Sequence, residues 1–377
     1  MNKVLLGDVA VEHKETCKGS KDGYPIVGLE HLIPEEITLT AWDEGSENTF
    51  SKMFRKGNVL FGRRRAYLKK AAVAPFDGIC SGDITVIEAK PDYILPELLP
   101  FIIQNDDLFD FAVGKSAGSL SPRVKWEHLK NYEFELPDME KQKELAELLW
   151  AMDNTKKSYQ KLIVATDELV KSQFMEQFGS YLGDETRCAT VEQVCTVFAD
   201  GDWIESKDQA DDGIRLIQTG NVGNGVYLDK GERARYIDEE TFVRLNCTEV
   251  LPNDILISRL PDPVGRACII PDGLGKSITA VDCSIVRLKS HVLPEFFVAY
   301  TMTTLYAAQI GSSVTGSTRK RISRKNLGQV VIPTPDIDQQ EQFAAFVRQS
   351  DKSKFELEKA LSELTATYKR IIAENLG

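Results

Sequence analysis

The amino-acid sequence predicts an α+β fold in which two repeated mixed α/β domains are separated by a pair of long antiparallel coiled-coil helices, in a pseudo-twofold arrangement. Three observations predict this fold. The chain of 377 residues contains an internal repeat. Each half carries short β-branched segments between Gly, Pro and Asp turns, which is typical of strands. Each half then ends in a long segment almost free of glycine and proline, which predicts a helix.

The repeat relates residues that lie 198 positions apart. At this shift three segments of the first half align with three of the second: YILPELLPF (93–101) with HVLPEFFVA (291–299), GSLSPRVKWEHL (118–129) with GSTRKRISRKNL (316–327), and LPDMEKQKELAELL (136–149) with TPDIDQQEQFAAFV (334–347). Identical pairs include Gly118/Gly316, Ser119/Ser317, Arg123/Arg321, Leu129/Leu327, Pro137/Pro335, Asp138/Asp336 and Gln142/Gln340. The two halves are therefore interpreted as copies of one unit.

Each copy has the same predicted order of elements. Strands are expected in GDITVIEA (82–89), EVLPNDILIS (249–258) and CSIVRL (283–288), and helices over 95–112 and 294–310. A Pro-Asp pair then opens the long helix of each copy. The predicted boundaries are 1–136 for the first repeated domain, 137–180 for the first long helix, 181–334 for the second domain and 335–377 for the second long helix.

The two long helices, near 138–178 and 336–374, carry apolar residues at a 3–4 spacing in the same register. This spacing predicts that the helices pack on one another. Because the first helix leads into the second domain, a second helix that pairs with it must run antiparallel. The predicted seam and partner-docking residues are Leu145, Leu148, Met152, Tyr159, Leu162, Phe343, Phe346, Leu357 and Leu364. The alternative is that each helix is amphipathic and packs only on its own domain.

Basic residues cluster in acid-free islands, although the chain has a formal net charge of −11. Such a chain can bind nucleic acid through one face, because the local field at the bound surface decides the interaction. Arginine suits bidentate contacts with guanine edges and phosphates. The candidate DNA-binding residues are Arg63, Arg64, Arg65, Lys69, Lys70, Arg123, Lys125, Arg259, Arg266, Arg319, Lys320, Arg321, Arg324 and Lys325. The alternative is ordinary solvated charge on strands and loops.

No constellation predicts catalysis or metal binding. Asp77 with Glu88 and Lys90 resembles a nuclease motif, but the second copy has Arg287 in place of Glu88. The seven cysteines form no CxxC, and the four histidines show no ligand-like spacing. We therefore predict no catalytic residue, no metal site and no cofactor in this chain. No segment is apolar enough for a membrane helix and none resembles a secretory signal, so a cytoplasmic location is expected.

Four segments carry a family resemblance: FGRRRAYLKKAAVAPFDGICSGDITVIEAK (61–90), ELPDMEKQKELAELL (135–149), GIRLIQTGNV (213–222) and GSTRKRISRKNLGQVVIPTP (316–335). Over essentially its whole length the chain resembles the DNA-specificity (S) subunit of type I restriction–modification systems. The chain departs from the family where a Glu often precedes the Gln of the helix-opening motif, since Lys141 and Gln339 stand there.

The resemblance implies two target-recognition domains, each of which reads half of a bipartite site in double-stranded DNA. It also implies that the helices dock two methyltransferase (M) subunits, which bind S-adenosylmethionine, and that motor-nuclease (R) subunits, which use ATP and Mg²⁺, join for restriction. Recognition domains diverge within the family, so the resemblance assigns no base-reading residue. The alternatives are a stand-alone DNA nuclease or methyltransferase, the specificity subunit of a related DNA-modification assembly, and a coiled-coil adaptor that binds only proteins.

Overall fold

The computed structural model describes residues 2–45, 48–316 and 320–376, and it divides the chain into two compact units. Unit 1 comprises Met1–Lys161 and Glu358–Gly377, and unit 2 comprises Leu162–Leu357. Each unit contains one mixed α/β region, called head 1 and head 2 below, together with part of both long helices. The predicted α+β class with two repeated domains and two long helices is confirmed.

The described residues of head 1 form ten strands and four short helices. The strands are β1 (Asn2–Leu5), β2 (Ala10–Glu12), β3 (Glu15–Thr16), β4 (Ile26–Val27), β5 (Lys52–Phe54), β6 (Val59–Gly62), β7 (Ala71–Val73), β8 (Gly78–Cys80), β9 (Ile84–Ala89) and β10 (Glu133–Leu136). The helices are α1 (Leu6–Val9), α2 (Leu99–Ile103), α3 (Asp106–Gly114) and α4 (Trp126–Leu129). They are followed by the first long helix, α5 (Met139–Phe178).

In head 2 the part that the structure describes repeats much of this plan, with nine strands. The strands are β11 (Cys188–Thr190), β12 (Cys195–Asp200), β13 (Ile214–Ile217), β14 (Arg235–Ile237), β15 (Ile255–Ser258), β16 (Ala267–Ile269), β17 (Ser277–Thr279), β18 (Cys283–Leu288) and β19 (Val331–Pro333). The helices are α6 (Glu239–Arg244), α7 (Pro294–Thr301), α8 (Thr304–Ser313) and α9 (Arg324–Gly328). They are followed by the second long helix, α10 (Ile337–Leu376).

The two heads share the topology of one sheet and one ribbon, whereas the second sheet has four strands in head 1 (β3-β5-β8-β4) and three in head 2 (β14-β13-β17). A four-stranded antiparallel sheet has the order β2-β9-β6-β7 in head 1 and β12-β18-β15-β16 in head 2. A second sheet contains one parallel pair, β4 with β8 and β13 with β17, at its repeated position. An antiparallel ribbon, β1 with β10 and β11 with β19, joins the start of each head to its end. The sequence repeat is thus a repeat of structure.

The inner strands β6 of head 1 and β15 of head 2, each in the four-stranded antiparallel sheet, are buried on both faces, which is why they are apolar runs. In head 1, Val59 and Phe61 pack with helices α2 and α3, whereas Leu60 packs with the second sheet. In head 2, Ile257 packs with helices α7 and α8, whereas Leu256 packs with the second sheet. Alternate residues of one strand therefore hold the two layers of each head together.

Each helix predicted over 95–112 and 294–310 is two helices in the structure, so that prediction was wrong about continuity. The breaks fall at Asn105 and Thr303, which occupy the same repeat position. The Asn105 side chain accepts a hydrogen bond from the Asp107 N–H, and the Thr303 side chain accepts one from the Tyr306 N–H. These polar residues cap a new helix instead of continuing the old one.

A buried glutamine joins each long helix to its head. The Gln142 side chain accepts from the Leu95 N–H at 2.8 Å and donates to the Pro137 carbonyl at 2.9 Å. Gln340 accepts from the Leu293 N–H at 2.9 Å and donates to the His291 and Pro335 carbonyls. The shared Pro-Asp-x-x-x-Gln segment therefore starts the helix and fastens it to the head at once.

The helices α5 and α10 pack antiparallel within each unit. In unit 1, Leu145 and Leu149 of α5 share a core cluster with Ile372 and Leu376 of α10. In unit 2, the core cluster contains Val170, Phe174 and Phe178 of α5 with Phe343 and Val347 of α10. The N-terminal part of each helix thus lies beside the C-terminal part of the other, as predicted from the connectivity.

The predicted seam is partly wrong. Leu145, Met152 and Phe343 are buried, whereas Leu148 and Leu162 are about half exposed, at 46% and 51%. Leu149, one position after Leu148, is the buried residue because the seam advances by four residues from Leu145 and not by three. The remaining seam residues are half-buried: Tyr159, Phe346, Leu357 and Leu364.

No helix in the described part of the chain is long and apolar enough to cross a membrane.

Candidate nucleic-acid interface

In head 1 a loop that we call tip loop A (residues 116–124) is held against the segment that carries Arg63, Arg64 and Arg65. Ala117 and Arg123 exchange backbone hydrogen bonds of 3.0 and 2.9 Å across the loop. The turn between them requires a φ of +117° at Gly118, which favours glycine. The Val124 N–H then donates to the Arg63 carbonyl at 3.0 Å, and the Arg65 N–H donates to the Pro122 carbonyl at 2.8 Å. Basic residues far apart in sequence are therefore neighbours.

Head 2 has the same loop, tip loop B (residues 314–322), of which 317–319 lie outside the described residues. Thr315 and Arg321 exchange two backbone hydrogen bonds of 2.9 Å, and Gly316 has a φ of +100°. The Ile322 N–H donates to the Arg259 carbonyl at 3.2 Å. Arg319, one of the candidate DNA-binding residues, falls within the undescribed positions.

Around tip loop A the arginines are joined by one carboxylate. Arg123 donates to both oxygens of Asp83, at 2.7 and 3.2 Å. The Arg64 guanidinium lies 3.6 Å from the same carboxylate and also donates to the Ser121 hydroxyl. The hydrogen bonds from Arg123 hold the pKa of Asp83 below its usual value. This carboxylate is therefore charged near neutral pH and organises the basic surface.

The other candidates of head 1 differ in how far their charges are engaged. Lys69 forms an ion pair with Asp106, and Lys70 donates to the Leu29 carbonyl at 2.8 Å. Arg63 is half-buried, and its Nε has no hydrogen-bond partner among the described residues. Arg65 and Lys125 are exposed, and their side chains form no hydrogen bond or ion pair with the part of the chain that the structure describes.

Two candidates of head 2 serve as internal supports. Arg259 has a side chain only 5% exposed, donates to the Val281 carbonyl and lies 3.4 Å from Asp200. Its burial lowers its pKa. All three guanidinium nitrogens of Arg266 donate to backbone carbonyls, at distances from 2.7 to 3.1 Å. Those two arginines hold loops together and present little charge to solvent.

The remaining candidates of head 2 lie on the surface. Arg321 is 3.1 Å from Asp282, and Arg324 donates to the Phe198 carbonyl at 2.9 Å while lying 3.5 Å from Asp200. Lys320 and Lys325 are exposed. The structure thus brings the second basic run next to the strand end that carries Arg259, as it does in head 1 with Arg63.

Sequence reasoning missed the acidic partners of these arginines. Asp83 and Asp282 stand at the same place in two similar segments, GDITVIEAK (82–90) and VDCSIVRLK (281–289), and that similarity was the available signal. Exposed apolar side chains were missed as well. Leu120 at the apex of tip loop A is 91% exposed, and Trp203 in head 2 is 70% exposed. Nothing in the local sequence marks these two as surface residues.

The residues of the nuclease-like pattern are engaged by other side chains and backbone. Asp77 accepts from Arg55 at 2.8 Å, Glu88 lies 2.8 Å from the His13 ring, and Lys90 donates to the Gly7 carbonyl at 2.7 Å. Glu15 links the first two contacts, since Arg55 donates to it and the His13 ring lies 3.1 Å from it. This engagement of both carboxylates disfavours a metal nuclease centre.

A single group among the described residues has the spacing of a metal site. The ligand atoms of Glu30, His31 and Asp43 lie within 4.8 Å of one another. One nitrogen of the His31 ring already accepts a hydrogen bond from the Gly28 N–H, so only the other is free for an ion.

The fold and the tip loops define a class of protein: a chain with two copies of one α/β head, each with a glycine-turned loop beside an arginine-bearing strand end, and two long helices that run through both units. The model of the type I restriction modification DNA specificity domain matches residues 3–164 and 186–365. The chain belongs to this family, and it is a DNA specificity subunit of a type I restriction–modification system, the non-catalytic specificity component.

One relative is similar in sequence, and two solved structures are similar in fold. The chain is 20% identical to the "Putative type I restriction enzyme MjaX specificity subunit" of Methanocaldococcus jannaschii, over 93% of this chain and 87% of the relative. It is similar in fold to a chain solved in work on complex assembly and conformational transition of the type I system, with a TM-score of 0.62 and 20% identity, over 99% and 97% of the two chains. A second similar fold is the type I S subunit of M. genitalium, with a TM-score of 0.54 and 12% identity, over 98% and 94%.

Proposed function

We propose that head 1 and head 2 bind opposite halves of a bipartite site in double-stranded DNA, each through its tip loop and the neighbouring basic strand end. The observation that carries this proposal is the repetition of one arrangement: a glycine-turned loop that carries an arginine is fastened to an arginine-bearing strand end in both heads. Two similar heads suit a target made of two half-sites. The heads correspond to the predicted domains 1–136 and 181–334.

The proposed contacts are divided by how far each charge is engaged. The exposed Arg65 and Lys125 of head 1 and Lys320 and Lys325 of head 2 would reach phosphates or base edges. Arg64 and Arg324 would join them through the guanidinium donors that their contacts with Ser121 and Phe198 leave over. Arg319, which lies outside the described residues, stays a candidate by its place in the basic run. Side chains committed to internal contacts would support them: Arg63, Lys69, Lys70, Arg123, Arg259, Arg266 and Arg321. Phosphate contacts set the register and base contacts give the specificity.

The long helices would dock methyltransferase (M) subunits. In unit 2, Leu162 and Leu169 are separated by one heptad on α5 and are 51% and 49% exposed, and Phe355 of α10 is 62% exposed. In unit 1, Leu148 is 46% exposed. Such apolar side chains on a helix surface are typical of a protein interface. The M subunits would bring S-adenosylmethionine, R subunits would bring ATP and Mg²⁺ for restriction, and the complex would act in the cytoplasm.

An exchange of head 2 tests the assignment of heads to half-sites. Residues 187–330 would be replaced by the corresponding region of another specificity subunit, and methylated sites would be mapped across the genome of cells carrying the partner subunits. We expect one half-site to change while the other half and the spacer are retained. A change in both halves would contradict the assignment.

A pulldown with tagged M subunits tests the docking surface. Leu162→Ser should weaken capture of the M subunit, because the substitution removes apolar area from the interface. Val243→Ser is the matched control, since Val243 is 70% exposed on α6 of the same unit and lies outside the long helices. Equal capture of the two variants would remove Leu162 from the interface.

A further inference from the structure

We propose that Asp83 and Asp282 are positioning residues, each of which latches its tip loop to the neighbouring strand through an arginine. Arg123 and Arg321 then hold the loops in place and do not themselves contact DNA. This inference rests on the proposed function, because it states how each head presents its DNA-binding loop.

In head 1 the latch closes a loop of three contacts. The Arg63 N–H donates to the Asp83 carbonyl at 3.0 Å, and the Arg63 carbonyl accepts from the Val124 N–H at 3.0 Å. The Arg123 side chain then returns to the Asp83 carboxylate at 2.7 and 3.2 Å. Backbone and side chain therefore fix the base of tip loop A to the same strand end.

In head 2 equivalent residues make the same connections. The Arg259 N–H donates to the Asp282 carbonyl at 2.9 Å, and the Arg259 carbonyl accepts from the Ile322 N–H. The Arg321 guanidinium lies 3.1 Å from the Asp282 carboxylate. The residues around the latch differ between the heads, yet the latch itself recurs, which indicates a role in the shared scaffold.

The engagement of Arg123 decides between latch and DNA contact. A bidentate arginine–carboxylate pair uses two of the guanidinium donors in a fixed geometry. The remaining donors of Arg123 lie beside the charged Asp83 carboxylate, which would repel a phosphate brought to them. Arg64 faces the apex of the loop instead, where it donates to Ser121. Because the latch fixes the base of tip loop A, it also sets the position of the apex, where Leu120 is exposed.

The two roles predict opposite effects for Asp83→Asn. If Arg123 contacts DNA, the substitution removes a competing negative charge and binding becomes tighter. If the pair is a latch, the loop loses its position and binding becomes weaker. Asp77→Asn is the matched control, because Asp77 is an arginine-paired carboxylate of the same head, held by Arg55 at 2.8 Å, and its loss changes the net charge equally.

The experiment measures binding of the full chain, purified with its M subunits, to a duplex that carries its mapped site, by fluorescence anisotropy at several salt concentrations. We expect Asp83→Asn and Arg123→Gln each to weaken binding about tenfold, with the double variant no weaker than either, because both break one charge-assisted interaction. The slope of log affinity against log salt should stay unchanged, since the protein neutralises the same number of phosphates. Asp77→Asn should bind like the wild type or slightly tighter.

Mapping methylated sites adds a readout that general destabilisation does not produce. Asp83→Asn should relax only the half-site read by head 1, and Asp282→Asn only the other half. If Asp83→Asn unfolds head 1, Asp282→Asn gives the same test in head 2, where Arg321 and Asp282 form a single contact.

Tighter binding by Asp83→Asn, or a salt slope that falls by about 0.9 in Arg123→Gln, would overturn the latch and make Arg123 a phosphate contact. The outcome for the proposed function is separate. A wild-type complex that binds its duplex no better than a scrambled one would overturn the function of the heads, whereas specific wild-type binding with an unaffected Asp83→Asn variant removes only the latch.

Discussion

Units 1 and 2 are built on one plan but fill the junction between head and helices differently. At equivalent positions of the repeat, α5 of unit 2 has Phe174, whereas α10 of unit 1 has Ile372. The Phe174 ring lies 5.1 Å from that of Phe296 and 5.4 Å from that of Phe343, centroid to centroid. In unit 1 a cavity of about 300 Å³ lies beside Ile372, and the buried Tyr368 hydroxyl beside it has no hydrogen-bond partner among the described residues.

The tip loops of the two heads differ in how their arginines pair with carboxylates. Head 1 joins two arginines to one carboxylate, Asp83. Head 2 divides its arginines between Asp282, which pairs with Arg321, and Asp200, which lies near Arg259 and Arg324. Contacts that build the head are thus shared between the copies, whereas the packing and the surface charges differ. The shared contacts are scaffold, and the divergent charges are where each head would gain its own specificity.

The largest expected effect breaks the contrast in packing. Phe174→Ala should lower the free energy of unfolding of the unit by about 3–5 kcal/mol, because it removes a fully buried ring from an aromatic cluster. Ile372→Ala should cost less, about 2–3 kcal/mol, since the adjacent cavity already leaves Ile372 without neighbours on one side. Urea unfolding followed by circular dichroism measures both. An equal cost would show that the cavity does not weaken the packing of unit 1.

The second prediction concerns the contact that the units share most closely. Gln142→Ala and Gln340→Ala should each destabilise by about 1–3 kcal/mol, because each leaves a buried backbone N–H without its acceptor. Gln340 should lie at the upper end, since it donates to one more carbonyl than Gln142. Gln339→Ala is the control, because Gln339 is the exposed neighbour of Gln340. A larger loss for Gln142 than for Gln340 would contradict this account.

The third prediction separates the surface charges of the two heads. Replacing Arg65 and Lys125 by Gln should reduce the slope of log affinity against log salt by up to about 1.8, at about 0.9 for each phosphate that is no longer neutralised. Replacing Lys320 and Lys325 by Gln should do the same through head 2. Binding titrations at several salt concentrations measure the slopes. If only one pair changes the slope, the two heads do not both contact phosphates as proposed.

The smallest effect is a pH dependence of stability in head 1. The pKa of Asp83 is lowered by Arg123, so the stabilisation is fully present above the unfolded value near 3.9 and is lost as the pH falls through the lower folded value. Both side chains are partly exposed, so the contribution should stay below about 1 kcal/mol. The stabilities of wild type and Asp83→Asn, measured by denaturant unfolding, should differ at pH 7 and converge as the pH falls through the lowered folded pKa of Asp83. A constant difference would rule out this origin.

Several features followed directly from the sequence. The repeat correctly indicated two similar heads, and the positions of the long helices were predicted to within a few residues, 138–178 against Met139–Phe178 and 336–374 against Ile337–Leu376. The strand predicted at 283–288 coincides with β18. These features depend on residues close together in the chain, where periodicity and turn residues act directly.

The phase of the helix seam did not follow. Leu148 and Leu149 are both apolar, so a 3–4 pattern starting at Leu145 fits either one. Only the position of α10 and of head 1 decides that Leu149 is buried and Leu148 exposed. A one-residue change of phase turns a side chain by about 100° around the helix, which is enough to move it from core to solvent.

The sequence by itself determined the duplication, the α+β class, the antiparallel course of the helices and the presence of basic runs in an acidic chain. The tertiary structure alone decided which basic residues are engaged. Asp83 meets Arg123 across 40 residues of sequence, and Arg266 donates to carbonyls up to 47 residues away. The sequence shows where the charges lie along the chain. A charge becomes scaffold or free surface only through partners that folding brings from elsewhere, because an ion pair or hydrogen bond forms over a few ångströms and not over sequence distance.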